Sequence, residues 1–123
     1  MQDQKQKIDS KRRTYDFALK IIGFIDKLPR DISSQIIAKQ LLRAATSIGA
    51  NIIEAQASPS RKDFTNFFNY SLKSANETKY WLNLLKDTNK IDKETIEILI
   101  KEVDEIANIL GSSILTLKGK RNF

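Results

Sequence analysis

The chain has 123 residues, 41% of them hydrophobic and 29% charged, enough length to bury a core without staples and a balance that suits a folded domain. It contains no cysteine and no histidine, which excludes disulfides, thiolate nucleophiles, histidine bases, Cys/His zinc sites and the Glu-x-x-His pairs of carboxylate-bridged di-iron bundles. The net charge of +6 makes a polyanion such as RNA or DNA a candidate partner, because cations laid on phosphates release counterions.

Helical periodicity runs through the whole chain, and no alternating β-branched run interrupts it. The first helix is expected over about 8–28, ending at Pro29. Asp31 to Ser34 offers capping residues for a second over about 32–57. Ser58, Pro59 and Ser60 break the chain before a third over about 61–87, and the DTNKID stretch precedes a fourth over about 92–118. No repeat divides the sequence, so residues 1–123 read as one domain. Short connections between long helices predict an all-α fold, an antiparallel up-down-up-down four-helix bundle. No apolar run is long enough to span a bilayer, and MQDQKQKIDSKRR holds no signal-peptide core. A cytoplasmic protein without membrane association is expected.

On a helical wheel the fourth helix carries one plain stripe, Ile96, Leu99, Val103, Ile106, Leu110 and Ile114, with Glu97, Lys101, Asp104, Glu105 and Asn108 away from it. The first helix has two apolar sides: Phe17, Ile21, Phe24 and Leu28 lie nearly opposite Tyr15, Leu19 and Ile22. The second pairs a face of Ile37, Leu41, Ala44, Ile48, Ile52 and Ala55 with a small-residue face of Ala38, Leu42, Ala45, Gly49 and Ile53 that would admit another helix closely. The third turns Phe64, Phe67, Phe68, Ser71, Ala75, Thr78, Leu82 and Leu85 one way and Tyr70, Trp81 and Leu84 another. One core cannot cover arcs this wide, so an oligomer interface is expected, hiding Phe17, Phe24 and Trp81.

Two groups of polar residues stand out. Arg43, Ser47, Asn51 and Glu54 form a rim along the second helix. Arg43 and Glu54 are separated by about 16 Å along the axis, too far to pair, so each needs solvent or a partner on another helix or subunit. A structural role at helix or subunit contacts is the simplest expectation for this rim, ahead of a ligand contact. Basic residues cluster at Lys11, Arg12 and Arg13, at Arg61 and Lys62, and at Lys118, Lys120 and Arg121. In an up-down bundle all three clusters meet at one end. The opposing interpretation is a solvated, ion-paired face in which Asp9 and Asp16 interleave with Arg12, Arg13 and Lys20. No glycine-rich phosphate loop, nucleophile elbow or metal-ligand spacing is present, so no catalytic residue, metal or cofactor is expected.

The stretch LLRAATSIGANIIEA, followed by SRKDFTNFFNYSLKSANETKYWL, resembles the 23S rRNA intervening-sequence proteins and the related accessory variability determinants of diversity-generating retroelements. The shared positions are Arg43, Ala44, Ser47, Ile48, Asn51, Ile52, Glu54, Lys62, Phe64 and Glu77, with Glu77 joining the polar rim. The resemblance implies a four-helix bundle assembled as a barrel-like homopentamer. For the retroelement relatives it implies a basic nucleic-acid-binding surface and a reverse transcriptase partner. The family's glycine after the motif glutamate is replaced here by Ala55, which lets the second helix run on toward Ser58. Two functions follow as expectations: a non-enzymatic homo-oligomeric scaffold that binds nucleic acid nonspecifically, or a protein-interaction module that docks on such a partner without nucleic-acid affinity.

Overall fold

A computed structural model describes residues 2–121, with side chains described for residues 10–119. The fold is all-α: helices α1 (Gln2–Ile25), α2 (Ile32–Ala57), α3 (Arg61–Asp87) and α4 (Lys93–Arg121), with no strand among the described residues. Each helix packs on its chain neighbour and α1 packs on α4, while the backbones of the diagonal pairs, α1 with α3 and α2 with α4, do not approach closely among the described residues. The result is a four-sided arrangement around one core.

The helix ends follow from local chemistry. Asp31 caps α2 by accepting from the Ser34 N–H at 3.2 Å, and Ser60 caps α3 by accepting from the Asp63 N–H at 3.1 Å. Helix α1 stops at Ile25 rather than near residue 28. Ahead of Pro29 the chain tightens into a turn, with the Lys27 and Leu28 N–H groups donating to Phe24 and Ile25 carbonyls at 3.1 and 3.0 Å. Helix α2 ends at Ala57 with Ser58 as its C-cap. Helix α4 starts one residue late because Asp92 serves as a cap, accepting from the Thr95 N–H at 3.1 Å and hydroxyl at 2.7 Å, and it continues to Arg121. Between α3 and α4, Asn89 takes a left-handed φ of 60°, a conformation that asparagine tolerates after a helix C-terminus.

The core collects Phe17, Ile21, Phe24 and Leu28 from α1 and its terminal turn, Leu41, Ile48 and Ile52 from α2, Phe68, Leu82 and Leu85 from α3, and Ile96, Val103 and Leu110 from α4. Burying each such side chain contributes about 1.5–3 kcal/mol. Phe17 and Phe24 therefore need no second subunit to cover them, contrary to the wheel argument, and Trp81 is half-buried against the same core. The opposite side of α1 does stay in solvent: Tyr15, Leu19 and Ile22 are 66%, 53% and 41% exposed.

The small-residue side of α2 is likewise used within the chain. Ala38 and Ala45 are buried, and a Cβ added at Gly49 would stand 3.1 Å from Thr14 Oγ1 of α1. On the other flank of α2 the buried Ser71 hydroxyl of α3 donates to the Ile48 carbonyl at 2.7 Å. Two helices thus approach the backbone of one α2 turn from both sides.

Two predictions follow from this packing. Gly111 has nothing within 4 Å of an added Cβ, so Gly111→Ala should raise stability by about 0.5–1 kcal/mol in urea unfolding, whereas Gly49→Val should lower it by about 1–3 kcal/mol through overpacking against Thr14. The Lys90 ammonium 2.9 Å away, with the Ser34 and Ser33 donors, holds the Asp31 carboxyl far below the usual carboxylate range, and Thr95 holds that of Asp92 low. A lowered folded pKa means that this stabilisation is present above the ordinary carboxylate range and is lost as pH falls through the folded value. The urea midpoint should decline from about pH 4 downward, less steeply in the doubly substituted Asp31→Asn, Asp92→Asn chain, because asparagine caps as well as aspartate but does not titrate.

Candidate functional site

The polar rim of α2 is mostly self-satisfied. The Ser47 hydroxyl donates to the Arg43 carbonyl at 2.7 Å and the Asn51 amide to the Ser47 carbonyl at 2.8 Å, each one turn back along its own helix. Arg43 instead reaches across to α3. Its guanidinium pairs with the Glu77 carboxylate and donates to Gln40 Oε1 at 3.0 and 3.2 Å. The same Glu77 carboxylate accepts from the Trp81 indole at 2.9 Å. Arg43, Gln40, Glu77 and Trp81 are thus one cluster on the α2·α3 side. Glu54 is exposed and bonds to none of the described residues.

Gln40 was not singled out from sequence, and Trp81 and Ser71 were placed only by helix face, without their hydrogen bonds. The spacing of Glu77 to Trp81, four residues on a helix, was a usable signal for their hydrogen bond. Ser71 had no such signal, because its acceptor is a main-chain carbonyl on a different helix.

The basic clusters sort into paired and unpaired groups. Arg13 pairs with Glu105 of α4 at 3.2 Å, and Lys20 pairs with Glu102 at 2.8 Å. Arg12, 87% exposed, meets Asp16 at 3.9 Å, a contact of little energetic weight. Lys11, Arg61, Lys62 and Lys118 are exposed with no carboxylate partner among the described residues. The side chains of Lys120 and Arg121 lie outside the described residues, although α4 carries both.

A groove of roughly 580 Å³ follows the α1·α4 seam, lined by Ser10, Arg12, Arg13, Asp16, Lys20, Glu102 and Ile109. Its three cations face two carboxylates, and Arg13 also pairs with Glu105, so most of its charge is offset. Ser10 Oγ beside it is buried without a hydrogen-bond partner. No group of acidic residues that could hold a metal occurs among the described residues, and no described helix is long and apolar enough to cross a membrane.

The model of the 23S rRNA-intervening sequence protein family matches residues 6–112. The chain belongs to this family. A crystal structure of a protein with unknown function from the S23 ribosomal protein family of Bacteroides thetaiotaomicron VPI-5482 is 40% identical, with a TM-score of 0.83 over 89% of this chain and 97% of that one. No curated protein matches the sequence. The family match takes in the whole Arg43–Glu77 cluster and stops before Lys118, Lys120 and Arg121.

Because Arg43 and Glu77 are partly solvated, with side chains 56% and 36% exposed, their pairing is worth about 0.5–1 kcal/mol. Arg43→Met and Glu77→Gln should each lower stability by about that much, and the double variant by less than the sum. Glu77→Gln alone should also alter the fluorescence of Trp81, the single tryptophan, since it changes the acceptor at the indole N–H.

Proposed function

We propose that the protein is a non-enzymatic cytoplasmic scaffold, a homopentameric ring of antiparallel up-down-up-down bundles that binds RNA or DNA through phosphate contacts at one basic end. Support for the antiparallel course comes from cross-helix pairs. From Arg43 to Ile48 along α2, the partners on α3 run back from Glu77 to Ser71. From Arg13 to Lys20 along α1, they run back from Glu105 to Glu102 on α4. With that course, the start of α1, the α2–α3 connection and the end of α4 share one end.

The observation that carries the nucleic-acid reading is the difference between the two ends. The end that gathers Lys11, Arg12, Arg61, Lys62, Lys118, Lys120 and Arg121 has few acids, chiefly Asp9, Glu54 and Asp63, and none follows Glu105 in α4. At the opposite end Lys27, Arg30, Lys86, Lys90 and Lys93 are matched by Asp26, Asp31, Asp87, Asp92, Glu94 and Glu97. A ring would repeat the basic end once per subunit, and a phosphate backbone responds to such a field without base-specific reading.

Salt and mutation test this reading. Binding of a generic RNA or DNA through six or more phosphate contacts should weaken about a thousandfold between roughly 50 and 200 mM salt. Replacing Arg61, Lys62 and Lys118 together by Glu should reduce the slope of log affinity against log salt by about three, while Lys27→Glu with Lys93→Glu at the other end should leave affinity within about twofold. An oligomer that binds no nucleic acid at low salt, yet captures a reverse transcriptase or other protein, would instead support the interaction-module reading.

A further inference from the structure

The unburied apolar residues are not scattered. Thr14 marks the flank of α1 that faces α2, and Arg13 and Lys20 mark the flank that faces α4. Tyr15, Leu19 and Ile22 follow the four- and three-residue spacing of one outward helix stripe, which reaches the Thr14 side at Tyr15 and Ile22 and is 41–66% exposed. The exposed Leu42 and Ile53 of α2 border the same side. A second group stands on the α2·α3 side, where Tyr70, Tyr80 and Leu84 are exposed around the Arg43–Glu77–Trp81 cluster.

These two groups lie on neighbouring sides of the four-sided bundle, and they match in height. Taking Thr14 level with Gly49, Ser71 with Ile48 and Glu77 with Arg43, the Tyr15–Ile22 stripe spans the same levels as Tyr70 to Trp81. Lys11 comes level with Glu54 to within about one helical turn. Both are exposed, and neither has an ion-pair partner among the described residues. Asp26, at the far end of the stripe, comes level with Lys39 and Tyr80.

We propose that the α1·α2 side of one subunit seats on the α2·α3 side of a second copy of this chain. Tyr15, Leu19 and Ile22 pack on the aromatic group around Trp81, and Lys11 stands opposite Glu54 of the neighbour. The charge match selects a second copy set in the same direction, because a reversed copy would bring Lys11 level with Lys39. A joint between two different patches propagates around a ring. Neighbouring sides of a square section meet at about 90°, which closes about four subunits, and opening to about 108° closes about five. The contact rests on the ring reading above and adds to it the two surfaces and their register.

Cross-linking tests the register directly, since the chain has no cysteine of its own. A chain carrying both Lys11→Cys and Glu54→Cys, treated with a short bis-maleimide, should give a ladder of covalent species ending at about four or five chains. Either single variant should stay uncross-linked. Leu19→Asp, on an exposed position, should keep full helicity while sedimenting as a monomer. A wild-type chain that sediments as a monomer at micromolar concentration overturns the ring reading and this contact with it. An oligomeric wild type that gives no ladder from the double variant, that yields dimers from one single variant, or that stays assembled with Leu19→Asp overturns the contact alone.

Discussion

Much of this molecule depends on the close approach of two helices to one turn of α2. At that turn the Ser71 hydroxyl from α3 reaches the Ile48 carbonyl, and one residue further on Thr14 from α1 covers Gly49. The carbonyl can accept this bond in addition to its helix bond because it has a second lone pair. Thr14 can sit where it does because Gly49 has no side chain, and its own hydroxyl is satisfied within α1 by the Ser10 carbonyl at 2.6 Å. The two contacts hold α1 and α3 at fixed heights against α2. Once the heights are set, the cross-helix partners follow: Glu77 falls beside Arg43, and the caps and loops only have to span short gaps.

The fold was largely readable from periodicity, because long helices with one buried stripe leave little ambiguity about where they run. The bounds of α2 and α3 were readable from their caps, Asp31 and Ser60, and from Pro59. The end of α1 was not, since Asp26 to Leu28 keep the apolar spacing of a helix while the backbone already turns ahead of Pro29. A wheel also reports angle and not neighbour. The Ala38, Ala45 and Gly49 side was expected to admit another helix closely, and that helix is α1 of the same chain, whose Thr14 stands against Gly49. Only the remainder, Tyr15, Leu19, Ile22, Leu42 and Ile53, is surface that the chain does not cover.

The rim of Arg43, Ser47, Asn51 and Glu54 shows how polar residues can stand along a packed helix without forming a site. Ser47 and Asn51 return their donors to their own backbone, so a half-buried flank leaves none of these donors unmade. Arg43 and Glu77 do reach between helices, but at this exposure a single ion pair adds little stability. Its consequence is geometric: the Arg43–Glu77 pair joins the Gln40–Arg43 bond of α2 to the Glu77–Trp81 bond of α3. The link between the helices was not visible from spacing within α2, because Glu77 sits 34 residues from Arg43 in sequence.

Charge is distributed by the same geometry. The acids of α4 sit in its first half, and Glu102, Asp104 and Glu105 engage Lys20, Lys79 and Arg13 across its two seams. The middle of the bundle is therefore neutralised by cross-helix pairs, and the far end by Asp31, Asp92 and their neighbours. The acids of α4 end at Glu105, and the residues after it add Lys118, Lys120 and Arg121 with no compensating carboxylate side chain. A uniform spread of six charges over a surface of this size would be screened to little effect beyond about 8–10 Å at physiological salt. On the proposed course of the helices the same charges would be gathered at one end, where their fields add. The acids in the first half of α4 neutralise Arg13, Lys20 and Lys79 by pairing, which would sharpen the proposed basic end.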